Sequence, residues 1–297
     1  MERHGRFWQA ALQRSEEALE MGALVPLTTE VMAGRGVEPF VLRRLRSRTP
    51  KHLRAGGPRP NPFLPWEPSL QVDLLGEGHV LLLNKFPVQP GHLLVITQQW
   101  QPQGGWLQPT DWGAVAQVLA DTGGLWFFNS CAAAGASQPH RHLQLLPRKA
   151  GSVSCPLAPH LLAQLAGEQS RWPWCYSLGR RLLPPVVAGR QKPSRHDVAH
   201  ELNQLYREHA AHLGLGDPAG DPQPRHPYNL LFDDDWFLMV RREREHCAGF
   251  SLNALGFAGY LLATTGSDLN WLEQHGPWRL LQEVATPSSD SVVSRLR

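Results

Sequence analysis

The chain has 297 residues, 42% of them hydrophobic, and a mild formal charge of +3. That is enough apolar material for a real core in one large or two small domains, and it suits an anionic ligand better than a surface that coats nucleic acid. No apolar run reaches the length of a membrane span, the N-terminus lacks the apolar core of a secretory signal, and the scattered Cys131, Cys155, Cys175 and Cys247 form no Cys-x-x-Cys pair, which points to free thiols in a reducing cytosol.

The 26 prolines and 27 glycines predict many turns and a loop-rich α+β protein. Phe7 to Met21 carries Phe7, Trp8, Ala11, Leu12, Ala18 and Leu19 largely on one face, the pattern of a packing helix. Residues 43–54 hold Arg43, Arg44, Arg46, Arg48, Lys51 and Arg54 and read as a solvated basic loop from which one or two side chains could reach an anion. The prolines of Asn61-Pro-Phe-Leu-Pro-Trp66 forbid helix and central strand there. Val80–Asn84 and His92–Thr97 read as strands joined through Lys85-Phe-Pro-Val-Gln-Pro-Gly91, an antiparallel hairpin or near it. Thr110 or Asp111 caps a helix to about Ala120, Gly123-Gly124 ends it, and Leu125–Asn129 is the next strand.

The stretch from Asn129 to Pro147 carries the chemistry. Its last third reads as a strand, so alternation puts His140, His142 and Gln144 on one face and Arg141, Leu143 and Leu145 on the other. Before it, Gly135-Ala136-Ser137-Gln138 is a small-residue turn whose backbone N–H groups could approach an anion. Spacing alone leaves three readings open: histidine chemistry on a phosphate ester, a metal site, and a polar exposed strand face. The amide-rich turn favours the first, since a metal has no need of it.

Beyond this stretch, Leu157–Leu165 suggests a short helix and Leu182–Val187 a strand. Ser194 and Asp197 open a helix to about Leu213 in the manner of a capping box, and 214–224 is a Gly/Asp/Pro loop. Tyr228–Phe232 and Trp236–Arg241 flank Asp233-Asp234-Asp235 as a hairpin with a solvated acidic tip. Ser251–Thr264 is apolar and Gly-spaced and reads as a tightly packed helix, and the Ser-rich tail from Thr286 reads as disordered.

The segment Asn129 with Gly135-Ala-Ser-Gln-Pro-His-Arg-His-Leu-Gln144 resembles the signature of the diadenosine tetraphosphate phosphorylases, also called ATP adenylyltransferases, of the histidine-triad superfamily. Asn84-Lys85-Phe-Pro87 with Gly91-His-Leu-Leu-Val-Ile-Thr97 resembles the family's second signature. Tyr228-Asn-Leu-Leu, Trp236-Phe-Leu-Met-Val and Asn253-Ala-Leu-Gly-Phe-Ala-Gly259 resemble its C-terminal part. The likeness runs from about residue 60 to 265, with a poorly matching middle.

The resemblance implies an α+β fold with a mainly antiparallel, histidine-triad-like sheet and packed helices. It divides the chain into a catalytic region, 1–190, and a C-terminal region, 191–285, that completes the same compact unit, followed by the tail 286–297. It implies phosphorolysis of diadenosine tetraphosphate to ADP and ATP, reversibly, through a nucleotidyl-histidine. His142 is then the nucleophile, His140 orients or hydrogen-bonds it, and Gln144 donates to a substrate oxygen. Asn129, Gly135, Ala136, Ser137 and Gln138 hold phosphate oxygens, Asn84 and Lys85 contact ribose or phosphate, and Lys51, Arg242 and Arg244 supply charge. The expected partners are dinucleoside polyphosphates, ATP, ADP and phosphate, with no nucleic acid and no membrane, in the cytoplasm. Mg²⁺ accompanies the polyphosphate without a protein cage. Two alternatives are a sugar-phosphate nucleotidyltransferase of the same superfamily and a nucleotide sensor without turnover.

Overall fold

The computed structural model describes residues 4–33, 36–47, 61–149, 151–181 and 193–288. The chain opens with helix α1 (Arg6–Glu20), strands β1 (Thr29–Val31) and β2 (Val41–Leu45), and then β3 (Gln71–Leu75), β4 (His79–Leu83) and β5 (Leu93–Thr97). Helix α2 (Pro109–Leu119), β6 (Gly124–Asn129), β7 (His142–Pro147), α3 (Ala158–Ala166) and β8 (Tyr176–Arg180) follow. Helix α4 (Arg195–His212) leads to β9 (Tyr228–Phe232), β10 (Trp236–Arg241), β11 (His246–Cys247), β12 (Phe250–Ser251), α5 (Ala254–Phe257), β13 (Tyr260–Ala263), α6 (Leu269–His275) and α7 (Pro277–Val284).

An antiparallel eight-stranded sheet in the order β3-β4-β5-β7-β6-β9-β10-β8 carries the molecule. The fold is therefore α+β with a mainly antiparallel sheet, as the resemblance implies. Strands β4, β5, β6 and β9 are buried along their whole length, because both faces of the sheet are covered. On one face Leu81, Val95, Phe128, Leu143, Leu145 and Phe232 form a continuous core with residues of α1, α2 and α4. On the other face the apolar material falls into two separate clusters. One gathers Phe127, Leu146, Leu231 and Leu238 under residues of α3, α5 and α7. The smaller packs Phe63 on Val80, Leu82, Leu94 and Ile96. His142 and Gln144 project from β7 between these two clusters.

Capping chemistry marks the starts of α4 and α2, although α2 begins at Pro109 with Gln108 as its N-cap, ahead of the expected Thr110 or Asp111. Ser194 accepts from the Asp197 amide at 3.1 Å and Asp197 returns a bond to the Ser194 amide at 3.0 Å, the reciprocal pair that begins α4. Asp111 does the same for α2, accepting from the Gln108 amide at 2.7 Å.

Several expectations need correction. Ser251–Thr264 is not one helix: α5 holds four residues, Gly259 turns at φ 96°, and β13 then pairs in parallel with β2. Arg43 to Leu45 lie in strand β2 rather than in a basic loop, because β1 and β13 flank it, and Arg46 pairs with Glu30. The first of the three aspartates is no solvated tip. Asp233 is buried, accepts from Ser154 Oγ at 2.6 Å and from the Asp235 and Trp236 amides, and burial raises its pKa to about 6. Thr286 and Ser288, assigned to the tail, are hydrogen-bonded to Arg241, Cys175 and Pro173. Strand β8 forms in a stretch whose sequence carries little signal, and the strand expected at Leu182–Val187 lies outside the described residues.

Candidate active site

Strand β7 is antiparallel to both neighbours, with Ile96 opposite His142 on β5 and Phe127 opposite Gln144 on β6. The β6–β7 ladder ends at that second pair. The next residues on this face, Asn129 and His142, are bridged instead by Gln103, whose Oε1 accepts from the His142 amide at 2.8 Å. Its Nε2 donates to the Asn129 carbonyl at 2.7 Å and the His142 carbonyl at 3.2 Å. A side chain thus replaces the backbone ladder where the strands part, and keeps the backbone groups satisfied.

The tautomer of His142 follows from its partners. Its Nδ1 lies 2.8 Å from the His140 backbone carbonyl, an acceptor only, so Nδ1 carries the proton and Nε2 the lone pair. Burial lowers its pKa to about 4, so the ring is neutral at pH 7. The His140 ring is committed elsewhere. Its Nε2 donates to the Thr97 carbonyl at 2.8 Å, which leaves Nδ1 to accept from Asn61 Nδ2 at 3.0 Å. Asn61 Oδ1 accepts from the Phe63 amide, which fixes that side-chain amide the right way round. His140 therefore hydrogen-bonds His142 through its backbone carbonyl and not through its imidazole. Phe63 packs against both rings, with centroids at 5.6 and 5.5 Å.

Gln144 is held by a residue the sequence did not single out for this role. The Val88 amide approaches His92 Nδ1 at 3.5 Å, which makes Nδ1 the acceptor and Nε2 the donor. His92 Nε2 then donates to Gln144 Oε1 at 3.1 Å. Gln144 consequently turns its NH₂ away from His92, as a fixed donor. Burial pulls the His92 pKa down to about 3, so this clamp is neutral throughout the physiological range. The register that brings β5 beside β7 is long-range, and no local signal marks His92 as Gln144's partner.

The turn before β7 is reached through Asn129. Its Oδ1 accepts from Asn229 Nδ2 at 2.8 Å and from the Ala254 amide at 2.9 Å. The amides of Gly135 and Ala136 close the turn itself, onto Ala132 and Cys131 at 2.9 Å each, so they are not free to meet an anion. Among the described residues, no protein acceptor engages the backbone amides or side chains of Ser137 and Gln138. Gly135 is required for two reasons: φ is 86°, and a Cβ would stand 2.6 Å from that of Asn253.

The remaining expected residues are spoken for in other ways. Asn84 accepts from the Phe86 amide at 3.0 Å and its Nδ2 lies 3.4 Å from His92 Nδ1, so it braces the turn that carries His92. Lys85 is exposed, and its charge bears on Glu67. Arg244 is exposed and paired with Glu283 at 2.7 Å. Arg242 is 1% exposed, with its donors committed to protein acceptors. The Arg242 guanidinium is thus enclosed by protein acceptors, while Arg244 remains at the surface. Lys51 lies outside the described residues. Among the described residues no three His, Cys, Asp or Glu side chains gather as a metal site. Nor is any helix among them long and apolar enough to cross a membrane.

Comparison with known proteins places these features in a lineage. A family model described as Ap4A phosphorylase N-terminal domain matches residues 1–163, and one described as ATP adenylyltransferase C-terminal domain matches residues 172–287. Protein APA1 of Saccharomyces cerevisiae is 40% identical over 202 residues, 63% of this chain and 61% of that protein. Diadenosine 5',5'''-P1,P4-tetraphosphate phosphorylase 2 of the same yeast is 37% identical over 210 residues, 64% of each. The matches thus span a little under two thirds of these relatives' length. The crystal structure of yeast Ap4A phosphorylase Apa2 superposes with a TM-score of 0.70 at 21% identity, over 98% of this chain and 97% of that one. Its complex with Ap4A gives 0.69 at 20% identity, over 95% and 97%. These structures share the fold. With more than half of its length matched by the first model, and most of the rest by the second, the chain belongs to the Ap4A phosphorylase, or ATP adenylyltransferase, family.

Proposed function

We propose that this protein cleaves diadenosine tetraphosphate with inorganic phosphate, giving ATP and ADP, through a nucleotidyl-histidine on His142. The observation that carries the reading is the His142 ring, whose proton is fixed on Nδ1 by its own strand and whose Nε2 lone pair is unprotonated at neutral pH. Such an imidazole attacks without a separate base. Nε2 bonds to the α-phosphorus as the bond to the bridging oxygen breaks, and that electron pair leaves with ATP. The ring becomes cationic, and the His140 carbonyl, already bonded to Nδ1–H, stabilises it. A phosphate oxygen then attacks the same phosphorus, the P–N pair returns to Nε2, and ADP departs.

Gln144 offers its NH₂ to a substrate oxygen in both steps, while Ser137, Gln138 and Asn129 offer donors to the charge that gathers on the phosphoryl group. A polyphosphate is a good leaving group and needs little acid help. Glutamine has no proton to exchange near pH 7, so it does not activate water, and phosphate dianion is the favoured acceptor. Mg²⁺ accompanies the polyphosphate as counter-ion. Nucleotides and phosphate are the partners, nucleic acids and membranes are not, and the cytoplasm is the compartment. The family membership and the named activity of the second yeast relative support the substrate.

The test is turnover of diadenosine tetraphosphate with and without added phosphate, read by chromatography. ADP plus ATP should form only with phosphate, and brief exposure to labelled substrate should leave acid-labile, base-stable label on the protein. His142→Ala should lose the label and at least about a thousandfold in rate. Rapid AMP formation without phosphate, or turnover retained in that variant, overturns the reading.

A further inference from the structure

Arg242 is a buried cation. It is 1% exposed, and among the described residues no Asp or Glu lies within ion-pair distance of it. The acidic group that bears on it, Glu245, is bonded to Ser251 Oγ. Its guanidinium instead donates to five uncharged acceptors. Nε reaches the Val284 carbonyl at 3.1 Å. Nη2 reaches the carbonyls of Arg244 and Leu252 at 2.8 and 2.9 Å. Nη1 reaches Asn229 Oδ1 and, at 3.5 Å, the Ala134 carbonyl. The Phe257 ring packs 5.2 Å from its Cζ. An isolated charge in such surroundings costs several kcal/mol unless something opposes it. The hydrogen bonds show where its field goes.

Because Asn229 Oδ1 accepts from Arg242, Asn229 must present its Nδ2 on the other side. It does so, to the Ala134 carbonyl at 2.8 Å and to Asn129 Oδ1 at 2.8 Å. Asn129 Oδ1, accepting also from the Ala254 amide, must in turn present its own Nδ2 away from Asn229. Guanidinium, first amide and second amide are thus aligned head to tail, each polarising the next. The positive end of the series is Asn129 Nδ2, on the residue bridged to His142 through Gln103.

We propose that Arg242, Asn229 and Asn129 form a polarised donor relay, in which Arg242 and Asn229 are positioning residues that make the Asn129 amide a strengthened donor to the anionic phosphoryl group of the substrate. The inference rests on the phosphoryl-transfer reading of the His142 site. Arg242 touches no substrate; it sets the direction and strength of a group that does. The same bonds hold the Ala134 carbonyl, so the relay also fixes the turn from which Ser137 and Gln138 emerge.

The experiment is a double-mutant cycle on the full chain, with Asn229→Asp, Arg242→Lys and Asn129→Ala, alone and combined. Each variant is read by thermal melting, by the Kd for inorganic tripolyphosphate, and by KM and kcat with diadenosine tetraphosphate. Asn229→Asp gives Arg242 a counter-charge but sets an oxygen against Asn129 Oδ1, so it should weaken tripolyphosphate binding about tenfold even where the melting temperature holds. Arg242→Lys keeps the charge without the planar fork and should lose less. In the Asn129→Ala background the share of both losses that passes through the Asn129 amide should vanish, so that each double variant loses less than the sum of its singles, which a merely structural role does not predict. Unchanged anion binding in both folded single variants, or losses that simply add to that of Asn129→Ala, overturns the relay. Should Asn229→Asp fail to fold, Arg242→Lys with Asn129→Ala decides alone by the same additivity. Tripolyphosphate binding that follows the cycle without any turnover of the dinucleotide keeps the relay and defeats the reaction assignment instead.

Discussion

Two buried polar clusters flank β7, one at the helical face just before the strand begins and one on the opposite face, and they differ in what is left over. On the helical face Arg141, just before the strand, donates to Asp111 Oδ2 at 3.1 Å. Asp111 Oδ1 lies 2.8 Å from His79 Nε2, and the Gln108 amide completes the set. Both carboxylate oxygens have protein partners, and the cluster sits in the core under α2. On the opposite face His142 keeps the Nε2 lone pair, Gln144 keeps its NH₂, and their other ends are tied to His140 and His92. A buried network in which every strong acceptor is engaged holds the fold. One in which each member is fixed at one end and unengaged at the other is poised for a ligand.

The contrast makes predictions that separate stability from chemistry. The largest effect should come from the closed face. Asp111→Ala leaves Arg141 and His79 buried without their partner and should cost about 3–5 kcal/mol of stability. Denaturant titration should show it, while single-turnover labelling of His142 in the folded protein changes little. A large loss of labelling rate with unchanged stability would invert the assignment of the two faces.

On the open face the prediction runs the other way. His92→Phe fills the same space but releases Gln144 Oε1, so the amide loses its fixed direction. Loss of one such hydrogen bond should lower kcat about tenfold while the melting temperature stays close to that of the parent. Equal kcat in the two proteins would show that Gln144 needs no clamp.

The smallest effect is a displacement on the pH axis. Burial disfavours the His142 imidazolium, so the lone pair persists until the folded-state pKa of about 4 rather than the usual 6.5. The acid limb of first-step labelling should therefore fall near pH 4, and a limb near 6.5 would contradict a buried neutral nucleophile. Stability carries the same sign. In the unfolded chain imidazoles take up protons below about pH 6.5, whereas folded His92, His142 and His209 resist until about 3, 4 and 4. Stability gained above the unfolded value is thus lost as pH falls through that window.

What the sequence disclosed follows from range. Strand alternation puts His142 and Gln144 on one face, and the small-residue turn suggests an anion through its backbone N–H groups, although those of Gly135 and Ala136 are engaged in closing the turn. The hairpin around Gly91 and the Ser194–Asp197 cap needed only neighbours. Ser251–Thr264 misled because a Gly-spaced apolar run suits a helix locally, while its outcome is decided by β2, more than two hundred residues earlier. Arg242 resembles a phosphate ligand because sequence shows charge but not the carbonyls that already surround it. His92 and Asn229 were hidden for the same reason: each matters through a partner that only the sheet register supplies.

The sheet order also has a consequence for how the protein is made. Strand β6 is synthesised early, but its neighbour β9 follows about a hundred residues later, and the amide that bonds Asn129 Oδ1 belongs to Ala254, 125 residues on. A ribosome that has delivered the histidines has not yet delivered what aligns the Asn129 amide. Until Tyr228 to Phe232 emerges, β6 presents an open apolar edge to other nascent chains. Stalling or nicking in that interval should therefore yield a sticky fragment, so that in the cell the hazard to this protein is concentrated in the seconds before its second half arrives.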